Sequence, residues 1–229
     1  MAPEVLQAMV ESASCFVSIQ ELNQKAGEII ARHTGAEAGL VTASAAAGML
    51  LQAAASMTGT DPAKIAQLPD TTGMKDEVVI HRSHRMGYDQ CYRAAGAKLV
   101  EWGLGRVGEP WQLEAALGER TAAVVQIMRP WRFGNLPLPQ VIEIAHGRGV
   151  PVIVDASGMV PPPGNLTRFI AEGADMVAYS GGKGLEGPQS TGILCGRKDL
   201  IEAARLNMSP NAGVGRPAKV SKEEIVGLI

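Results

Sequence analysis

Cysteine is scarce in this 229-residue chain, with three in all. Cys15, Cys91 and Cys195 are scattered without CxxC spacing, which speaks against a disulfide framework or a zinc site and fits a reducing cytoplasm. Aromatic residues make up only 4%, and 21 Lys and Arg do not outnumber 23 Asp and Glu. The formal charge of −2 therefore gives no general pull toward nucleic acid or an anionic membrane. No apolar run approaches the roughly 20 residues that cross a bilayer. The start, Met1-Ala-Pro-Glu-Val-Leu6, lacks the basic-then-apolar pattern of a secretory signal. These absences lead to the expectation of a soluble cytoplasmic protein with no membrane or nucleic-acid partner and no bound metal.

What is present is an alternation of helical and strand patterns. Pro3 and Glu4 suit the first turn of a helix. Ser18 and Glu21 form a capping box for a second helix, which Gly35 ends. Apolar runs at Leu40–Thr42, Val78–Ile80, Lys98–Glu101, Ala122–Met128, Val150–Asp155, Met176–Ser180 and Ile193–Cys195 read as strands. Helices are expected over Ser44–Met57, before Gly96, over Leu138–Arg148 and over Leu166–Glu172. This order predicts an α/β fold with a mainly parallel mixed sheet flanked by helices. Runs without polar alternation indicate strands buried on both faces. Near the end, Ser221 and Glu224 cap an apolar helix that stops after about two turns, too short to be stable alone. Residues 1–217 are accordingly expected to form a large domain and 218–229 to open a smaller one, as in a fragment of a longer protein.

The most informative stretch is Ser180-Gly-Gly-Lys183-Gly-Leu-Glu-Gly-Pro-Gln189-Ser-Thr-Gly192. A lysine just past a buried strand is costly unless it is paired or uses its amine covalently, so Lys183 is a candidate Schiff-base lysine. A solvated lysine on a surface turn is the competing reading. Asp155 also closes a buried strand, where open α/β sheets bind their ligands; a capping aspartate is its alternative. The turn Thr42-Ala-Ser44-Ala45-Ala46 leads from strand to helix, where free N–H groups favour an anion, or where Ser44 is simply an N-cap. A nucleotide P-loop is a poor alternative, because Gly184 follows the lysine and Val177 stands at the first glycine position. His81 and His84 have metal-like spacing without a third ligand nearby.

The acid and lysine at successive strand ends, with the phosphate-type turn upstream, resemble fold-type-I pyridoxal-phosphate enzymes. Val152-Ile-Val-Asp155-Ala-Ser, Ser180-Gly-Gly-Lys183, Gly187-Pro-Gln-Ser-Thr-Gly-Ile-Leu-Cys-Gly-Arg-Lys198 and Gly213-Val-Gly-Arg216-Pro are more specific. They resemble the branch that contains bacterial L-seryl-tRNA(Sec) selenium transferase and D-glucosaminate-6-phosphate ammonia-lyase. The resemblance implies pyridoxal 5'-phosphate as cofactor, with Lys183 forming the Schiff base and moving protons and Asp155 pairing with the ring nitrogen. It implies a phosphate site at Ser44, Ala45, Ala46 and Ser180, ring stacking by His84 with His81 in reserve, and Gln189 reaching a cofactor, across a dimer interface if one forms. Arg216 would bind a substrate carboxylate, or be a solvated loop arginine.

Three departures stand out. The family usually has glycine where Ser44 stands. Arg129-Pro-Trp-Arg-Phe133 has no matching stretch, and the family's N-terminal arm and C-terminal small domain have no counterpart. The expected function is a pyridoxal-phosphate lyase of the elimination or ammonia-lyase type, acting as a homo-oligomer on a small-molecule amine, an amino acid or amino sugar acid. A selenium transferase acting on seryl-tRNA and a truncated, non-catalytic cofactor- or partner-binding protein are the alternatives.

Overall fold

The computed structural model describes residues 1–129 and 136–229, so the unmatched stretch from Arg129 to Phe133 lies outside it after its first residue. Helix α1 (Pro3–Ala13) precedes α2 (Ile19–Thr34), which is capped by the Ser18 hydroxyl and closed by Gly35 at φ 71°. Strand β1 (Ala38–Thr42) leads into α3 (Ala45–Thr58), then α4 (Pro62–Gln67), β2 (Glu77–His81) and α5 (Gln90–Ala94). Next come β3 (Lys98–Trp102), α6 (Pro110–Ala116), β4 (Thr121–Ile127) and α7 (Leu138–His146). The remainder is β5 (Val152–Asp155), α8 (Asn165–Ala171), β6 (Met176–Ser180), β7 (Gly192–Gly196), α9 (Lys198–Leu206) and α10 (Lys222–Leu228).

Three helices escape the sequence reading. Pro62 and Pro110 look like loop punctuation but occupy first-turn positions of α4 and α6, where proline's missing N–H costs nothing. The third is α9, which packs against α3 through Leu200 and Ile201. One strand also starts later than its apolar run suggests. β5 begins at Val152 because Pro151 has no N–H to give the sheet, although its carbonyl still accepts from Val124 N at 2.9 Å.

The seven strands form one sheet in the order β1-β7-β6-β5-β4-β2-β3. Strands β6, β5, β4, β2 and β3 are mutually parallel, while β7 is antiparallel to both β6 and β1. The short Gly/Pro-rich connection from β6 to β7 explains that reversal, since a parallel return needs a crossover of a dozen or more residues.

Alternation along the strands sorts side chains into two cores. Val78, Ile80, Val125, Ile153, Met176 and Ala178 join the layer of α3, α5 and α9. Val79, Val124, Val152, Val154, Val177 and Tyr179 join the layer of α2, α6, α7 and α8. The short α10 lies against α1 and α2, and its Ile225 is fully buried.

At the edge of the sheet where β6 starts, Asp175 ties several elements together. Its buried carboxylate accepts from Val152 N at 2.7 Å and Arg197 Nη1 at 3.0 Å, and lies 2.7 Å from His146 Nε2. Removing it strands the Val152 N–H, while the half-exposed partners can turn to water. Asp175→Ala should therefore cost about 1–3 kcal/mol in urea unfolding, and Asp175→Asn, which keeps an acceptor, clearly less. An alanine variant as stable as the parent would contradict this account.

Candidate active site

Thr42, His81, Ile127, Asp155 and Ser180 end strands that run in the same direction. Because β7 runs the other way, its first residue Gly192 meets both Thr42 and Ser180 at that edge. A Cβ on Gly192 would come 2.5 Å from the Ser44 carbonyl carbon and 2.7 Å from Ala45 N. Only glycine admits this approach, so β7 fixes the turn that opens α3. Thr42 Oγ1 donates to the Ser44 carbonyl at 2.8 Å, and Ser44 Oγ accepts from Ala47 N at 3.0 Å. The Ser44 hydroxyl is thus a helix cap, and the N–H groups of Ala45 and Ala46, in the first turn, have no partner within the helix. A short Gly-free turn with a capping serine still presents two donors.

Asp155 is 3% exposed. Strand alternation turns it and Ser180 toward the α3 and α5 layer, because their neighbours Val154 and Tyr179 belong to the opposite core. Burial pushes the Asp155 carboxyl above the usual carboxylate range, against the opposing pull of the Ser157 N–H at 2.9 Å and the positive charges of Lys183 and Arg129. Lys183 itself lies in the exposed turn after β6, and its side chain makes no hydrogen bond or ion pair among the described residues. The turn is drawn tight by Gly181 N donating to Thr191 O and Gly187 N donating to Gly181 O, both at 2.9 Å. Gln189 sits beside Gly182 in the same turn, with its side chain exposed toward solvent.

The two histidines separate cleanly. His81 ends β2 with its side chain on the opposite face from Asp155, as the alternation after Val79 requires. Its ring is fully buried edge-on to Trp102, with centroids 4.6 Å apart, and Gly103 closes over Nε2. His84, after a single helical turn, lies over the end of β4, where Ile127 N donates to its Nδ1 at 3.4 Å. Ile127 is paired in register with Asp155, so His84 is held at the strand end beside that of the acid. Burial, and after it the charges of His81 and Arg129, lower the His84 imidazolium to about 3, so the ring is neutral at pH 7.

Arg216 lies on a different loop from these groups. It is exposed in the loop after Gly215, which packs on Leu51 of α3, and its side chain makes no hydrogen bond or ion pair among the described residues. Arg129 is the residue that sequence reading missed. It follows β4 by two positions at the same edge as Asp155, and the rule applied to Asp155 and Ser180 would have found it. Within this arrangement a cation, a buried acid, a neutral imidazole and free N–H groups share one edge of the sheet.

An open, mainly parallel sheet with one reversed strand, helices on both faces and these groups at its carboxyl edge is the large domain of fold-type-I pyridoxal-phosphate enzymes. The solved pyridoxal-5'-phosphate dependent protein YhfS from Escherichia coli shares the fold, with a TM-score of 0.66 at 15% identity over 98% of this chain and 62% of that one. The chain belongs to the SelA family, L-seryl-tRNA selenium transferase, which its residues 20–221 match. It is also 38% identical to D-glucosaminate-6-phosphate ammonia lyase of Salmonella typhimurium (strain 14028s / SGSC 2262), covering 100% of this chain and 62% of the relative. A solved D-glucosaminate-6-phosphate ammonia-lyase superposes with a TM-score of 0.93 at 38% identity, over 100% of this chain and 61% of that one. The chain thus spans about three-fifths of the length of these relatives.

The buried His84 has a consequence for the protein without ligand. Unfolded His84 takes up a proton near the ordinary value of 6.5, the folded form only near about 3. Between those limits the unfolded state binds more protons, so this contribution to stability is full above pH 6.5 and is lost as pH falls. Chemical denaturation across pH 3–6.5 should show a steeper loss for the parent than for His84→Gln, and equal slopes would show that the ring is not held neutral.

Proposed function

We propose that this chain is the cofactor-binding part of a pyridoxal-phosphate-dependent lyase that eliminates a β-substituent or ammonia from an amino acid or amino sugar acid. The observation that carries the reading is the buried Asp155 carboxyl at the end of β5, with Lys183 in the turn that follows the adjacent parallel strand β6. The 38% identity to the ammonia lyase along the whole chain supports elimination as the reaction type.

The residues fit such a cofactor. The start of α3 at the Ser44 turn, held in place by Gly192, suits a phosphate, which Ala45 N–H, Ala46 N–H and Ser180 would hold. Asp155, desolvated and in want of positive charge, would hold the protonated ring nitrogen. A neutral His84 would lie against the ring without repelling that charge. Lys183 would hold the aldehyde carbon. When bound, pyridoxal phosphate supplies an electron sink that stabilises negative charge at the carbon bearing the amine. The Nζ of Lys183, free of ion pairs, would take the proton from that carbon and return one at the end of the reaction. Gln189, on the exposed side of the lysine turn, would border the cofactor.

The family match itself favours a second reading, transfer onto seryl-tRNA. The formal charge of −2 and low aromatic content weigh against an RNA surface. A non-catalytic cofactor- or partner-binding protein is the third reading, motivated by the three-fifths span. We take residues 1–217 as the large domain, 218–229 as the start of a smaller one, and the working unit as a cytoplasmic homo-oligomer. Exposed Leu6, Val10 and Phe16 support assembly, and no helix among the described residues is long and apolar enough to cross a membrane.

Pyridoxal phosphate added to the purified chain, followed by borohydride reduction and peptide mass mapping, should label Lys183. Lys183→Ala should abolish the label and lower elimination from D-glucosaminate 6-phosphate by at least about a hundredfold. A labelled parent without turnover would favour the third reading, and a salt-sensitive tRNA complex the second. Unchanged labelling and turnover in the variant would defeat the assignment of Lys183.

A further inference from the structure

Among the described residues, Arg129 stands in no ion pair. Met128 N donates to the Asp155 carbonyl at 2.8 Å, which fastens the end of β4 beside β5. Met128 packs with the core of the α2 face, whereas Arg129 turns the other way, and its Nη2 donates to Met86 Sδ at 2.9 Å. Met86 belongs with the core of the α3 face, the face that carries Asp155 and Ser180. A thioether is a weak acceptor, while a guanidinium offers five N–H donors.

Its neighbours differ from it. Arg82 and Arg85 are paired with Glu101, Arg85 also with Asp89, and Arg93 with Asp89. Arg129 is in no ion pair among the described residues, and residues 130–135 contain no Asp or Glu by sequence. Its positive charge is felt at both Asp155 and His84, so it borders the place where ligand would sit. A half-buried cation with unused donors in a fork geometry suits a carboxylate or another anionic oxygen.

We propose that Arg129 binds an anionic oxygen in the active site, supplied by the ring hydroxyl of the cofactor or by the carboxylate of the amine substrate. This rests on the reading given under Proposed function, and with the carboxylate as partner it adds the recognition element that selects an acid over a neutral amine. The bidentate fork, not charge alone, provides the selectivity.

Binding titrations, not turnover, test it. The parent, Arg129→Gln and Arg129→Lys are titrated by absorbance with pyridoxal phosphate and with its 3-O-methyl analogue. The cofactor-loaded proteins are then titrated with D-glucosaminate 6-phosphate and with the C1-alcohol counterpart that lacks the carboxylate. Arg129→Gln should weaken binding of the anionic partner by about tenfold to a hundredfold. Arg129→Lys, which keeps the charge but loses the fork, should fall in between, and it carries the comparison if the glutamine variant does not fold.

A loss with pyridoxal phosphate that is absent for the methylated analogue assigns the ring oxygen. A loss confined to the carboxylated amine assigns the substrate. Parent-like binding of all four compounds by Arg129→Gln overturns the proposal while leaving the reading of Lys183 intact. A parent that takes up no pyridoxal phosphate overturns both.

Discussion

Burying the Asp155 carboxylate at the end of β5 removes most of its hydration, an effective penalty of several kcal/mol for an unpaired ion. Among the described residues, the compensation comes from the backbone N–H and side chain of Ser157 and the more distant charges of Lys183 and Arg129. That compensation leaves the carboxyl above its usual range, so the folded protein retains an unmet demand for positive charge there. A positively charged ligand nitrogen would satisfy it. The neighbouring groups are consistent with this demand, since the nearest imidazole is neutral and two cations lie at the rim, where they need not displace that nitrogen.

Strand parity then decides which side chains can share the site with Asp155. Residues at even spacing along β5 and β6 face the α3 layer, and Asp155 and Ser180 both fall on it. His81 has the opposite parity and is spent in packing against Trp102, whereas His84 escapes the constraint because a helical turn intervenes. Arg129 lies beyond the last paired residue of β4 and turns to the same layer through Met86. The reversed strand β7 completes the edge by bringing Gly192 against the Ser44 turn, which locates the anion-type helix start next to Ser180.

Much of this was readable from the amino-acid order. Unbroken apolar runs mark the buried strands, and Asp155, Ser180 and Lys183 stand out because polar residues directly after such runs are rare without a purpose. Parity was readable too, since Val78-Val-Ile-His81 already alternates, but it needs the knowledge of which face carries the site. The short helices α4 and α6 were hidden by prolines that serve as first-turn residues, and the loop connecting β6 to β7 encodes the reversal only through its length. The environment of Arg216 was not legible, because a Gly-Val-Gly-Arg-Pro motif says nothing about where its loop packs. Arg129 was overlooked for the opposite reason, as its flanking residues suggest no role although its position after β4 is the informative feature.

The lysine turn shows how rigidity and freedom are divided. A Cβ at Gly181 would meet Thr191 Oγ1 at 2.0 Å, and one at Gly184 would meet the Val160 carbonyl oxygen at 1.8 Å. The backbone on both sides of Lys183 is therefore pressed against its surroundings, and Leu228 of α10 closes on Gly181 and Gly187 from behind. Stiff backbone removes the entropy that a wandering loop would lose on each binding event. The long side chain, exposed and without an ion pair, keeps its rotational freedom. In the proposed role, a lysine that would alternate between holding a ligand carbon and carrying a proton would need that combination, because its Cα would stay fixed while Nζ moves between two positions. In the proposed role, the tight glycines and α10 would serve the same end as the buried acid, leaving one mobile amine at an otherwise preorganised edge.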